Sequence, residues 1–159
     1  MTALLLAAWD QATKAWMVRN LDLYEMRAVV SGWIDLVHVR NPGVAFSLLA
    51  NLDPGWVRPA LIVITIVEIG ALLCFIWYRP GKGPAPWGLG LILGGAAGNL
   101  IDRARFGYVI DFVDVYRGDF HWQAFNLADA GITLGVILLI ADMIIGNKES
   151  DAPRPAADR

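Results

Sequence analysis

Long apolar runs alternate with short polar stretches along the 159 residues of this chain. Four of these runs predict membrane-spanning helices, at about residues 1–18, 56–77, 87–101 and 125–145. The second run begins and ends with tryptophan, the residue that favours membrane interfaces. The third has 15 residues, roughly 22 Å of helix against an apolar core about 30 Å thick. We therefore expect its polar end to lie at or below the membrane surface.

The polar connections predict how the chain crosses the membrane. Four spans place both termini on one side, and the connections at 19–55 and 102–124 then share the opposite side. Within the first connection, residues 33–40 alternate between apolar and polar, and residues 44–49 are apolar. Asn41, Pro42 and Gly43 between them are typical of a turn. This pattern predicts a small β unit resting on the membrane surface.

Composition supports a membrane protein and excludes several functions. Hydrophobic residues make up 57% and charged residues 18% of the chain, against about 45–50% and about 25% in soluble domains. The net charge of −2 gives no basic face for nucleic acid. With one cysteine, Cys74, and two histidines, no metal-ligand spacing is present. We expect neither a metal nor another cofactor.

Polar residues recur at helical spacing inside or beside the apolar runs. Asp10 with Lys14, Asn99 with Arg103, and Asn126 with Asp129 would each share one face of a helix. In a membrane such faces turn towards other helices or a wet cavity. Glycines four residues apart on the third and fourth runs predict close packing of these helices. The residues concerned are Gly90, Gly94, Gly98, Gly131 and Gly135.

Two aspartates are the strongest candidates for chemistry. Asp111 follows an apolar stretch, and Asp129 lies about 6 Å into the fourth run at 1.5 Å per residue. A carboxylate near a membrane surface is costly and often functional. Two that converge can share a proton and act as acid and base. The residues alone leave a peptidase, a proton-coupled transporter and a non-catalytic scaffold open.

Structural interpretations compete for the other acids. Asp10 and Lys14 form an intrahelical ion pair in one interpretation, and Asp102 caps a helix end. We expect Asp114 to be a solvated loop carboxylate. If residues 109–114 are extended, Asp111 and Asp114 face opposite sides, because side chains alternate along a strand.

Five motifs in order resemble the lipoprotein signal peptidase family, also called signal peptidase II. They are DQATK at 10–14, NPGVAFS at 41–47, GGAAGNLIDR at 94–103, GYVIDF at 107–112 and AFNLAD at 124–129. Each motif alone is weak, and their order makes the resemblance specific.

The resemblance implies an aspartic peptidase of the bacterial inner membrane. It implies an all-α fold of four transmembrane helices with a small extracytoplasmic β unit, and both termini in the cytoplasm. The substrates would be prolipoproteins, cut before a cysteine that carries a diacylglyceryl group. Membrane lipid would be the other partner, and the enzyme would work as a monomer. Residues 1–146 would form one domain, with 147–159 a polar, disordered cytoplasmic tail.

The same resemblance assigns roles to individual residues. The catalytic pair would be Asp111 and Asp129. The substrate-binding residues would be Asn41, Asn99, Arg103 and Asn126. Supporting roles would fall to Asp10, Lys14 and Gly43. The family has a longer stretch before the first motif than the nine residues here. We therefore expect a natural start about ten residues upstream of Met1, or poor insertion of the first helix.

Overall fold

Four helices and four strands make up the described part of the chain, residues 1–43, 54–78 and 83–150 of a computed structural model. The helices are α1 (Thr2–Asn20), α2 (Pro54–Tyr78), α3 (Ala85–Phe106) and α4 (Leu127–Ser150). The strands are β1 (Met26–Val30), β2 (Ile34–Asn41), β3 (Val109–Arg117) and β4 (Phe120–His121). The predicted apolar segment at 44–49 and the tail residues 151–159 lie outside the described residues.

The third helix is longer than its apolar run predicted. α3 continues past residue 101 to Phe106, so the polar end of the run is helical too. Gly107 then stops it in the left-handed conformation, at φ +82°, and its N–H donates to the Arg103 carbonyl at 3.0 Å. Arg58 of α2 donates to the carbonyls of Arg103 and Ala104 at 3.2 and 2.8 Å. A cation therefore covers the negative end of α3.

The fourth helix also exceeds its prediction. α4 runs to Ser150, so the first four residues of the predicted disordered tail are helical. Within the described residues, one helical segment, Leu127–Ile144, is long and apolar enough by length and composition to cross a membrane.

Glycines bring α3 against its neighbours, as their spacing predicted. A Cβ at Gly94 would overlap the backbone of Ala3 in α1, and one at Gly95 would overlap the Ala128 carbonyl of α4. Further along, a Cβ at Gly88 would overlap the Gly135 carbonyl. These close approaches leave α3 between α1 and α4, with its polar end against both.

The strands form one antiparallel sheet in the order β1-β2-β3-β4. The extended conformation predicted for 33–40 and 109–114 is confirmed in β2 and β3. The description as all-α does not cover this sheet, which is larger than the predicted β unit. β1 was not predicted: its five residues are all exposed, so its sequence carries no alternation between buried and exposed positions.

β3 is bulged opposite Phe125, between Asp111 and Asp114. The N–H groups of Phe112 and Val113 both donate to the Phe125 carbonyl, at 3.0 and 2.9 Å. Two residues opposite one interrupt the alternation of side chains. Asp114 is 6% exposed, so the prediction of a solvated loop carboxylate is wrong. Its carboxylate contacts His121 Nδ1 at 2.7 Å across the β3–β4 pair.

An apolar cluster joins the sheet to the helices. Met17 and Leu21 at the end of α1 pack against Phe112 of β3, with Leu127 of α4 beside them. This packing fixes the start of α4 against β3, and so brings Asp129 towards Asp111.

Candidate active site

Asp129 lies in the first turn of α4, where it forms a reciprocal cap with Asn126. The Asn126 side-chain oxygen accepts the Asp129 N–H at 3.0 Å, and Asp129 Oδ2 accepts the Asn126 N–H at 3.2 Å. This pairing satisfies two backbone donors at the helix start. The predicted i, i+3 pair is thus a capping arrangement. It holds the Asp129 carboxylate at the positive end of the helix dipole.

Asp111 is buried in β3, at 2% exposure, and accepts two amide donors. Asn41 Nδ2 of β2 donates to Oδ2 at 2.9 Å, and Asn126 Nδ2 donates to Oδ1 at 2.7 Å. Asn126 therefore touches both carboxylates: Asp111 through its amide, Asp129 through its backbone and side-chain oxygen. One side chain from the α4 cap joins the two candidate catalytic groups.

Burial is the main reason why the pKa of Asp111 rises from 3.8 to about 6. The negative charge of Asp129 adds to the rise, while the hydrogen bonds from Asn41 and Asn126 and the charge of Lys14 oppose it. A carboxyl with this pKa can hold a proton near neutral pH and release it during a reaction. The arrangement suits acid/base chemistry.

Asn99 of α3 supports the second carboxylate. Its Nδ2 donates to Asp129 Oδ1 at 2.8 Å. Its oxygen accepts from Lys14 Nζ at 3.0 Å and from Asn126 Nδ2 at 3.3 Å. The structure therefore brings together three of the four predicted substrate-binding residues, and all three asparagines contact the acidic pair or each other.

Lys14 of α1 stands behind Asn99, at 1% exposure. Its ammonium pairs with Asp10 Oδ2 at 2.9 Å, which confirms the predicted contact within α1. It also pairs with Asp102 Oδ2 of α3 at 2.9 Å. Asp102 lies inside α3, and its oxygens accept from Lys14, Gln11 and the Ile110 N–H. The interpretation of this residue as a helix cap is therefore wrong.

Gly43 and Arg103 take different places. The Gly43 N–H donates to Asn41 Oδ1 at 2.9 Å, and its φ of +83° is a conformation that glycine adopts readily. Arg103 lies one helical turn beyond Asn99. Its buried Nε has no hydrogen-bond partner among the described residues. The structure does not bring the Arg103 side chain into hydrogen-bond contact with the acidic pair.

Two residues of the network were missed as site residues. The sequence predicts a cap for Asp102, and for Gln11 no role beyond its place in the first motif. Gln11 Nε2 donates to Asp102 Oδ1 at 2.8 Å and to the Gly98 carbonyl at 3.1 Å. Both lie inside motifs quoted above, so the motifs gave a signal. Spacing within a single helix could not pair residues of α1 with residues of α3.

An apolar cavity of about 460 Å³ adjoins Asp129. Asp129 is its one acidic lining residue. The others are Trp122, Phe125, Ala130, Thr133, Leu134 and Ile137. An apolar group bound there would lie beside a carboxylate and along α4.

Comparisons with known proteins agree on one family. The profile of the signal peptidase (SPase) II family matches residues 2–145. A lipoprotein signal peptidase of Geobacter metallireducens is 48% identical over 136 residues, which cover 85% of this chain and 83% of the relative. One from Serratia marcescens is 44% identical over 151 residues, which cover 95% and 87%.

Solved structures give the same result for the fold. Two bacterial membrane enzymes determined by the in meso method superpose with TM-scores of 0.79 and 0.77. They are 26% and 29% identical in sequence. The first match covers 99% of this chain and 92% of the other, and the second covers 89% of each.

Proposed function

This chain belongs to the signal peptidase II family, and from that premise we propose that Asp111 and Asp129 are its catalytic dyad. The chain is an aspartic peptidase that removes signal peptides from prolipoproteins. Membership in a peptidase family decides against the transporter and the scaffold that the residues alone left open. The cut falls before the diacylglyceryl-modified cysteine of the substrate.

The chain would sit in the bacterial inner membrane as a single domain, residues 1–146. All four helices would span the bilayer, with the termini in the cytoplasm and the sheet outside. The sheet side carries Asp111, and the start of α4 carries Asp129, so the dyad would lie at the outer surface. A monomer suffices, because one chain supplies every group named in the site.

The observation that carries the dyad is the position of Asn126. Its amide donates to Asp111 at 2.7 Å, while its backbone and side-chain oxygen pair with Asp129. Asn126 thus contacts both carboxylates, and each carboxylate accepts a hydrogen bond from a second asparagine. Such a pair can share a proton. No such arrangement surrounds any other acid among the described residues.

The two carboxylates would divide the work. Asp129, at the start of α4, has its negative charge stabilised by the helix dipole and two N–H donors. It would act as general base, taking a proton from water as the hydroxide attacks the scissile carbonyl carbon. Asp111, whose pKa burial raises to about 6, would donate its proton to the carbonyl oxygen.

Collapse of the tetrahedral intermediate reverses both transfers. Asp129 returns its proton to the departing amine nitrogen, and the peptide C–N bond breaks. Asp111 takes back the proton of the intermediate's hydroxyl as the carbonyl re-forms. The pair ends the cycle in its starting protonation state, so no cofactor is required by this sequence of steps.

Other residues would hold the substrate. Arg103 offers a buried Nε without a partner among the described residues, which suits a substrate carbonyl. The cavity beside Asp129 is apolar and runs along α4 to Ile137. It suits an acyl chain or the apolar part of the signal peptide, next to the bond to be cut.

The test is cleavage of a diacylglyceryl-modified prolipoprotein by purified Asp111→Asn and Asp129→Asn. Loss of a general acid or base costs about 10²–10⁴-fold or more, so we expect no detectable turnover by either variant. Asp119→Asn is the matched control, since Asp119 is exposed in the turn after β3. Thermal unfolding in detergent checks that each variant folds. Turnover near that of the unmodified enzyme by either dyad variant would exclude the dyad.

A further inference from the structure

The buried ions Asp10, Lys14 and Asp102 form a network, and its two acids each accept a backbone N–H next to the dyad. Asp10 Oδ1 accepts the N–H of Ala128 at 3.0 Å, and Ala128 immediately precedes Asp129. Asp102 Oδ2 accepts the N–H of Ile110 at 3.2 Å, and Ile110 immediately precedes Asp111. Each acid of the network thus holds the residue before one member of the dyad.

Lys14 connects these two acids and faces the dyad through Asn99. Its three donors meet three acceptors, at 2.9 Å to Asp10, 2.9 Å to Asp102 and 3.0 Å to Asn99. The ammonium has three N–H groups, so none remains for a substrate. At 1% exposure Lys14 also offers almost no surface to a substrate. Lys14 therefore acts on the reaction through its partners and through its charge, which lowers the pKa of Asp111.

The contact with Asn99 fixes the direction of that amide. An amide can turn by 180° and exchange its oxygen with its nitrogen. The Lys14 ammonium can only donate, so the Asn99 oxygen must face it. The Asn99 nitrogen then faces Asp129, to which it donates at 2.8 Å. The other two amides have their oxygens held by backbone N–H groups, of Gly43 for Asn41 and of Asp129 for Asn126. The Asn99 oxygen is the one held by a charged side chain, Lys14 at 3.0 Å, with a longer contact to Asn126 Nδ2 at 3.3 Å.

We propose that Asp10, Lys14 and Asp102 form a clamp that sets the spacing of the two dyad aspartates and the direction of the Asn99 amide. This inference rests on the proposed dyad and extends it to three positioning residues. A misplacement of about 1 Å in a reacting group can cost about 100-fold in rate. The clamp therefore governs turnover while it makes no contact with substrate.

The first test is steady-state cleavage by Lys14→Met, a substitution of similar length that removes the charge. We expect kcat to fall about 100-fold, with KM changed less than about threefold, because no substrate contact is lost. We also expect the pH–rate profile to move to higher pH, because a nearby cation that favours ionised carboxylates is gone.

A purely structural role gives a different result. It would lower the amount of folded enzyme and leave the pH–rate profile of the remaining enzyme unchanged. A fall in kcat with an unmoved profile would overturn the clamp, and so would unchanged kcat in folded protein. Asp111→Asn and Asp129→Asn are assayed alongside. If those variants are inactive and Lys14→Met is fully active, the dyad stands and only the clamp fails.

Two milder variants keep the test decisive if Lys14→Met does not fold. Both oxygens of Asp10 are occupied, by the Ala128 N–H on one side and by Lys14 on the other. Asn at position 10 has one oxygen and must lose one of them. In Asp102, Oδ2 serves both Lys14 and the Ile110 N–H, while Oδ1 accepts from Gln11. Asn at position 102 can therefore keep both contacts of the clamp and gives up only the one with Gln11. We therefore expect Asp10→Asn to lower kcat more than Asp102→Asn, and the reverse order would contradict the clamp.

Discussion

β3 carries two buried aspartates, three residues apart, in very different surroundings. Asp111 receives amide donors from β2 and from the start of α4, and Asp129 raises its pKa further. Among the described residues, the Asp114 carboxylate has one hydrogen-bond partner, His121 of the neighbouring strand, at 2.7 Å. Both are at most 6% exposed, so burial does not distinguish them. What distinguishes them is that donors from separate helices and strands converge on Asp111 and not on Asp114.

After substitution of the dyad itself, removal of the Asn126 amide should lower kcat most. We expect Asn126→Ala to lower kcat about 10²–10³-fold, the cost of losing one donor that acts on developing charge. Loss of the helix cap should also cost about 1 kcal/mol of stability. Asn20→Ala, at the exposed end of α1, is the control. An Asn126→Ala enzyme with more than a tenth of the normal kcat would contradict the central role of this amide.

Gly43 gives a test from the β2 side. Its N–H holds the Asn41 oxygen, and an added Cβ would overlap Leu61 while the backbone stays at φ +83°. We expect Gly43→Ala to lower kcat about tenfold, which corresponds to about 1.4 kcal/mol. Gly32→Ala is well matched, since Gly32 has the same φ of +83° and open space around it. Equal losses in both variants would mean that backbone strain alone is responsible.

The pH dependence of the free energy of unfolding tests the surroundings of Asp111. The pKa of Asp111 is raised to about 6 in the folded protein, so the protonated form favours folding. Its contribution is fully present below about pH 3.8 and is lost as the pH rises through about 6. We expect Asp111→Asn to remove this loss, on the order of 2 kcal/mol. Thermal unfolding of both proteins from pH 4 to 7 measures it, and parallel curves would contradict the raised pKa.

The smallest effect on kcat is expected at Asp114. Asp114→Asn should keep kcat within about threefold, less than 1 kcal/mol in activation free energy. Its cost should appear instead as a lower unfolding temperature, through the lost contact with His121. If Asp114→Asn were inactive while Asp111→Asn cleaved substrate, the roles of the two aspartates would be reversed.

Local spacing predicted much of the site, and long-range pairing explains what it missed. The contact of Asp10 with Lys14 and the pairing of Asn126 with Asp129 each lie within one helix or its cap, so the sequence contains them. The contact of Lys14 with Asp102 joins α1 to α3 and has no signature in either run. The bulge opposite Phe125 is set by a residue twelve positions beyond Val113. Alternation within one strand predicts neither this bulge nor the contact of Asp114 with His121.

The order of synthesis suggests a second role for the contact between Asp10 and Lys14, before Asp102 is made. The ribosome makes α1 first, and Asp102 follows about 90 residues later, some 5–20 s at about 5–20 residues per second. During that interval Lys14 can rely only on a partner in its own helix, and Asp10, one turn away at 2.9 Å, is that partner. Charges that enter a membrane unpaired are costly. In the proposed arrangement of four spans, the pair within α1 would serve the nascent chain, and Asp102 would complete the network when the enzyme assembles.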